Sequence, residues 1–105
     1  MDDRMFIRPR ARLDVVELAT YLGRDSATTA SRFLDACDAI FKLLTDSPQI
    51  GGFYSSQNQR LAGLRVFRVK GFPNHLVFYL EQNGKIEIVR VLHGARDLDV
   101  ALQDE

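Results

Sequence analysis

Along the first half of the chain apolar residues recur every three or four positions. Along the second half they tend to alternate. Ala11, Val15, Leu18, Ala19 and Leu22 form one stripe at helical spacing, which predicts a helix from about Arg10 to Leu22. Leu13 and Val16 widen its apolar side. Pro9 suits an early helical position, because its missing N–H would be unpaired there anyway. Gly23 stands where a left-handed C-terminal cap belongs. A second stripe, Ala30, Phe33, Leu34, Cys37, Ile40, Phe41 and Leu44, predicts a second helix. Asp25 or Ser26 caps its start, and it ends near Asp46 because Pro48 cannot continue it. The short connection between the two makes them antiparallel neighbours.

Strands flank this hairpin. Met5–Arg8 is short, apolar and closed by Pro9, so it reads as a first strand at an edge. Gln49–Gly63 is rich in Gly, Ser, Gln and Asn, and is long enough to cover a sheet edge or make contacts of its own. Leu64–Lys70, His75–Glu81 and Ile86–His93 are three further strands. Gly71-Phe72-Pro73-Asn74 turns between the first two, and Asn83-Gly84 is a type I′ hairpin signal between the last two. Tight turns make the three strands a sequential antiparallel meander. Gly94 ends it, and Asp97–Leu102 forms a last helical turn. The predicted fold is α+β: an N-terminal strand, an antiparallel helical hairpin, then a three-stranded antiparallel meander.

Strict alternation puts Ile86, Ile88, Arg90 and Leu92 on one face of the last strand, with Glu87, Val89, Val91 and His93 on the other. In the middle strand Leu76, Phe78 and Leu80 oppose His75, Val77 and Tyr79. The hairpin can cover only one face. The other is expected to be a semi-apolar surface carrying histidine and arginine, the kind of patch that marks a binding site.

Composition narrows the chemistry. The 105 residues, 46% of them apolar, fit one domain spanning 1–105. The one cysteine, Cys37, allows no intrachain disulfide, which suits a reducing, cytoplasmic setting. Its place in a helical stripe makes it a small core residue rather than a nucleophile. Met1-Asp2-Asp3-Arg4 opens no signal peptide, and Leu76–Leu80 is far too short to cross a membrane. Two separated histidines and a distant cysteine do not make a metal site, and no glycine-rich phosphate loop is present, so no cofactor is expected. Tyr79 and Phe67 could stack on bases, but at strand spacing they read as core or interface.

Net charge is zero, with 14 basic and 14 acidic residues, which argues against nucleic-acid binding through whole-protein charge. The distribution is uneven. Ser47–Leu80 holds Arg60, Arg65, Arg68 and Lys70 but no Asp or Glu, so it carries +4 and the remainder −4. One reading is solvated strands with basic outer positions. The other is a cationic surface for phosphate or an acidic peptide. His75, His93, Arg65, Arg68, Arg90 and Arg96 are the residues with proton-transfer or phosphate-binding potential that this topology brings together.

Four stretches, RPRARLDVVELATYLG, ASRFLDACDAIFKLLTDSPQIGG, LRVFRVKGFPNHLVFYL and IEIVRVLHGARDLDVAL, resemble in order and spacing the RelE/ParE toxins of bacterial toxin–antitoxin pairs. The RVLHGARD run resembles the ParE branch. That resemblance implies a toxin that binds and stalls DNA gyrase without a catalytic site of its own, and that a cognate ParD-like antitoxin neutralises. It implies no sequence-specific DNA binding. Target-binding candidates are then Arg65, Arg68, Arg90, His93 and Arg96. Antitoxin-binding candidates are Leu13, Val16, Val77 and Tyr79. The RelE branch implies instead ribosome-dependent mRNA cleavage, with Arg68, His75, His93 and Arg96 as candidates. There the match is incomplete: His75 stands where an arginine is expected, and Leu102 where a tyrosine is. A third possibility is a toxin fold that retains antitoxin binding alone.

Overall fold

The computed structural model describes residues 2–105. Its elements run β1 (Met5–Ile7), α1 (Pro9–Gly23), α2 (Ala27–Asp46), β2 (Gly52–Phe53), a 3-10 turn (Gln59–Leu61), β3 (Arg65–Val69), β4 (Phe72–Gln82), β5 (Lys85–His93) and α3 (Leu98–Leu102). The strands make one sheet in the order β1-β5-β4-β3-β2. The predicted α+β fold is thus present, with the meander β3-β4-β5 at its centre.

Local chemistry accounts for most boundaries. Ser26 accepts a hydrogen bond from the Thr29 N–H at 3.2 Å and caps α2. Asn83 (φ 56°) and Gly84 (φ 77°) both take the left-handed conformation that a type I′ turn demands. Asp97 caps α3 by accepting from the Val100 N–H. Gly23 departs from expectation. It is the last residue of α1, and the cap after it, Arg24, is right-handed. A Cβ on Gly23 would stand 3.3 Å from the Ala30 Cβ, so the glycine serves the close approach of the two helices.

Two strands extend the meander. β1 pairs in parallel with β5, Met5 opposite Ile86 and Ile7 opposite Ile88. β2 lies inside the predicted loop and pairs with β3 at the far edge. Phe72 and its neighbours belong to β4 rather than to a four-residue turn.

The face assignment from strict alternation fails in β5. Phe78 opposes Arg90 but Tyr79 opposes Ile88, so Val89 is an extra residue, a β-bulge. Past the bulge the parity reverses. Ile86, Ile88 and Val91 pack with Phe33, Cys37, Ile40, Phe41 and Leu44 beneath the helical hairpin. Val89 and Leu92 face the other way.

That other side is not the open surface expected. The segment after β2 brings Leu61 and Leu64 onto it, and α3 brings Ala101 and Leu102. Together with Phe78, Val89 and Leu92 they form a second buried core. The sheet is therefore covered on both faces, by regular helices on one and by a loop and a single helical turn on the other.

Candidate functional site

Asp14 lies on the buried stripe of α1, three residues after Ala11, and faces the bulge of β5. β1 is too short to pair with the far end of β5. The Val91 N–H would thus go unmet, and Asp14 accepts it at 3.0 Å. The same carboxylate takes two bonds from Arg90, from Nε at 2.7 Å and from the second terminal nitrogen at 2.9 Å. The remaining terminal nitrogen of Arg90 donates to the Ala101 carbonyl at 2.9 Å and lies 3.5 Å from Glu105. Burial works against the Arg90 charge, but the Asp14 carboxylate and then Glu105 outweigh it and hold the guanidinium above its usual range. Arg90 thus ties α1, β5 and the C-terminal segment together. It is 3% exposed and leaves the set of target-contact candidates.

Val77 and Tyr79 leave the antitoxin-contact set for a similar reason, since both are fully buried. The Tyr79 hydroxyl donates to the Pro48 carbonyl at 2.8 Å and accepts from the Gly51 N–H at 2.9 Å. A Cβ on Gly51 would meet that hydroxyl at 2.6 Å, so only glycine allows the loop to close down on it. Cys37, also buried, has its thiol pushed up to about 12 by burial and then by Asp38, as befits a core residue.

His75 and His93 stand directly opposite each other on β4 and β5, their rings 5.0 Å apart and edge-on. With Leu18, Tyr21 and Leu22 they line a cavity of about 420 Å³. His93 Nδ1 accepts from the Ala95 N–H at 3.0 Å. His75 packs edge-on against Phe33 and Phe72, and its Nδ1 is buried without a partner among the described residues. Burial, and then His93, hold the His75 imidazole below the usual histidine range.

The remaining cationic candidates do not join this pair. Arg68 opposes Leu76 and shares its face, whereas the neighbouring His75 points to the helical side. Arg65 opposes Tyr79, on the face opposite to Arg68, and donates to the carbonyls of Gln49 (3.1 Å) and Gly51 (2.7 Å). Arg96 is exposed in the turn after β5. Within the cleavage set the two histidine rings meet edge-on, the Arg96 N–H bonds the His93 carbonyl at 3.1 Å, and Arg68 stands on the other face of the sheet from His75.

Leu13 (48% exposed) and Val16 (58%) lie on the outer side of α1. Leu34 is exposed too, although it belongs to the predicted α2 stripe. Missing from the sequence-based candidates were Asp14, Ile50 and Phe53. Asp14 had a signal: a carboxylate at a stripe position, with one arginine inside an apolar strand to meet it.

Residues 5–98 match the family model described as the ParE toxin of the type II toxin–antitoxin system, parDE. No curated protein matches the chain. Among the described residues no helix is long and apolar enough to cross a membrane.

Proposed function

The chain belongs to the ParE toxin family of type II toxin–antitoxin systems, and from that premise we propose that it inhibits DNA gyrase in the cytoplasm by protein–protein contact and is restrained by a cognate ParD-like antitoxin. The family match over residues 5–98 carries this reading. The dispersal of the candidate groups supports binding over bond cleavage. General acid–base catalysis needs its groups within hydrogen-bond reach of one reacting centre. Here Arg68 and His75 project from opposite faces of the sheet, and the Arg90 guanidinium is engaged by Asp14. Arg68 and Arg96, both exposed, and Arg65 and His93, both half-buried, are the target contacts this reading retains.

Leu13 and Val16 support an antitoxin contact on α1. They are large apolar side chains one turn apart on the solvent side of a helix whose opposite side is already buried. An amphipathic helix of the antitoxin would lay its own apolar stripe there.

One assay tests both halves. Micromolar chain is expected to block gyrase supercoiling and accumulate cleaved DNA, and added antitoxin to relieve the block. Leu13→Asp should keep its fold and its inhibition but escape relief. Unaffected gyrase, together with cleaved message in a translation extract, would replace this reading with the endonuclease. Unfolding of Leu13→Asp would show that Leu13 belongs to the core.

A further inference from the structure

The β2 edge of the sheet combines a strand paired on one side only, exposed apolar side chains and an excess of positive charge. β2 is last in the strand order, so its outer side has no neighbour. The Tyr54 N–H points inward to the Leu64 carbonyl, at 2.8 Å. Alternation along an antiparallel ladder then turns the N–H and C=O of Phe53 outward. Phe53 is 73% exposed and Ile50 46%. A Cβ on Gly52 would meet nothing within 4 Å, so the space above the strand is open.

The edge is also held in place. Arg65 clamps the carbonyls of Gln49 and Gly51 and lies 4.1 Å over the Phe53 ring. The buried Tyr79 hydroxyl fixes the same loop from below. Beside the strand runs a groove of about 480 Å³ whose walls include Ile50, Val66, Leu76 and Arg68. Arg68 is exposed and makes no hydrogen bond or ion pair among the described residues. Lys70 is two residues on, and no Asp or Glu occurs from Ser47 to Leu80.

We propose that the β2 edge is a docking site for an extended segment of a protein partner, one that alternates apolar with acidic residues and adds to the sheet as a sixth strand. Main-chain bonds to Phe53 give the attachment, the groove takes the apolar side chains, and Arg68 with Lys70 selects for carboxylates. Charge complementarity names the occupant: beside the groove Arg68 and Lys70 outnumber Asp99, the carboxylate that the Tyr54 hydroxyl meets at 3.0 Å, so an acidic segment is favoured over a basic one. The site is separate from the α1 surface, so its failure leaves the gyrase and antitoxin reading standing.

The probe is a synthetic peptide alternating valine with glutamate, titrated into the isotope-labelled full chain and followed by amide NMR shifts. Shifts are expected at residues 50–54 and 65–68. Arg68→Glu should weaken binding about tenfold, the scale of one lost charge-assisted contact. N-methylation of the peptide backbone should abolish binding, because strand addition needs its N–H groups. Four outcomes would each overturn the proposal: equal binding of a valine–lysine peptide, shifts confined to α1, no binding at millimolar peptide, or tighter binding of a short oligonucleotide at the same residues. Concentration-dependent self-association that moves the same signals would do so too, by assigning the edge to a second copy of the chain.

Discussion

Asp14 meets Arg90 at the bulge of β5, and His75 meets His93 at the end of the same strand. Both pairs are wedged between sheet and helices. In the first, the carboxylate holds two guanidinium bonds and a backbone N–H, and the guanidinium reaches a carbonyl of α3 as well. In the second, one imidazole nitrogen is buried with no partner among the described residues. The difference follows from what each group costs to bury. An ionised side chain without partners is expelled or neutralised, so it persists in a core only where its bonds are supplied. A neutral imidazole sets a smaller penalty and meets it by staying neutral. One place is a structural bolt, the other a site whose surroundings favour a neutral ring.

The largest expected effect lies at the bolt. Asp14→Ala strands the Arg90 charge and leaves the Val91 N–H unmet. Breaking a buried pair from one side costs about 3–5 kcal/mol, against a total stability on the order of 5–15 kcal/mol for a domain. Urea unfolding should show a sharply lowered midpoint. A loss under about 1 kcal/mol would mean that Glu105, 3.5 Å from Arg90, compensates the stranded guanidinium by itself.

A second variant separates the pair from the backbone bond it also provides. Replacing both partners with apolar residues, Asp14→Leu with Arg90→Met, removes the stranded charge and should recover part of the loss. It should not recover all of it, because the Val91 N–H still lacks an acceptor, at about 1–3 kcal/mol. A double variant as unstable as Asp14→Ala alone would place the whole effect in the capping of the bulge and none in the charges.

The two places also differ in how far the sequence reveals them. The stripes on α1 and α2, the Asn83-Gly84 turn and the three meander strands are local patterns, and they read through. His75 and His93 were legible as members of one cluster of candidates but not as a pair: the two-residue hairpin alone would set His75 opposite Leu92, and the bulge brings it opposite His93. The bulge at Val89 was not legible. No glycine or proline marks it, and the carboxylate that meets the backbone beside it, Asp14, comes from a distant helix. Missing it put Leu92 on the wrong face of the sheet and Arg90 on an imagined surface. The cover on the second face is a matter of long-range packing as well. Leu61 and Leu64 come from a polar loop with no periodicity, and α3 is a single turn. Val77 and Tyr79 seemed available because alternation does not say which face the helical hairpin takes, and they lie on the hairpin's side. β2, two residues long, has no alternation to detect.

The smallest expected effect tests the histidine site. Lowering the folded-state pKa of His75 means that the unfolded chain binds the proton more readily. Stability from this group is therefore complete above the unfolded value of about 6.5 and is lost as pH falls below it. The limit for one proton is about 1.4 kcal/mol per pH unit. His93 is the neighbour that opposes the charge, Tyr21 lines the same cavity, and Arg32 sits 6.0 Å over the Phe72 ring against which His75 packs. None of these offers the protonated ring an anion. His75→Phe should thus flatten the pH dependence between about 7 and 5.5, removing the unpartnered nitrogen while keeping the edge-on packing on Phe33. A profile that keeps its slope in His75→Phe and loses it in His93→Phe would move the sensitive proton to the other ring. It would also show that the bond from the Ala95 N–H to His93, rather than the burial of His75, governs the corner.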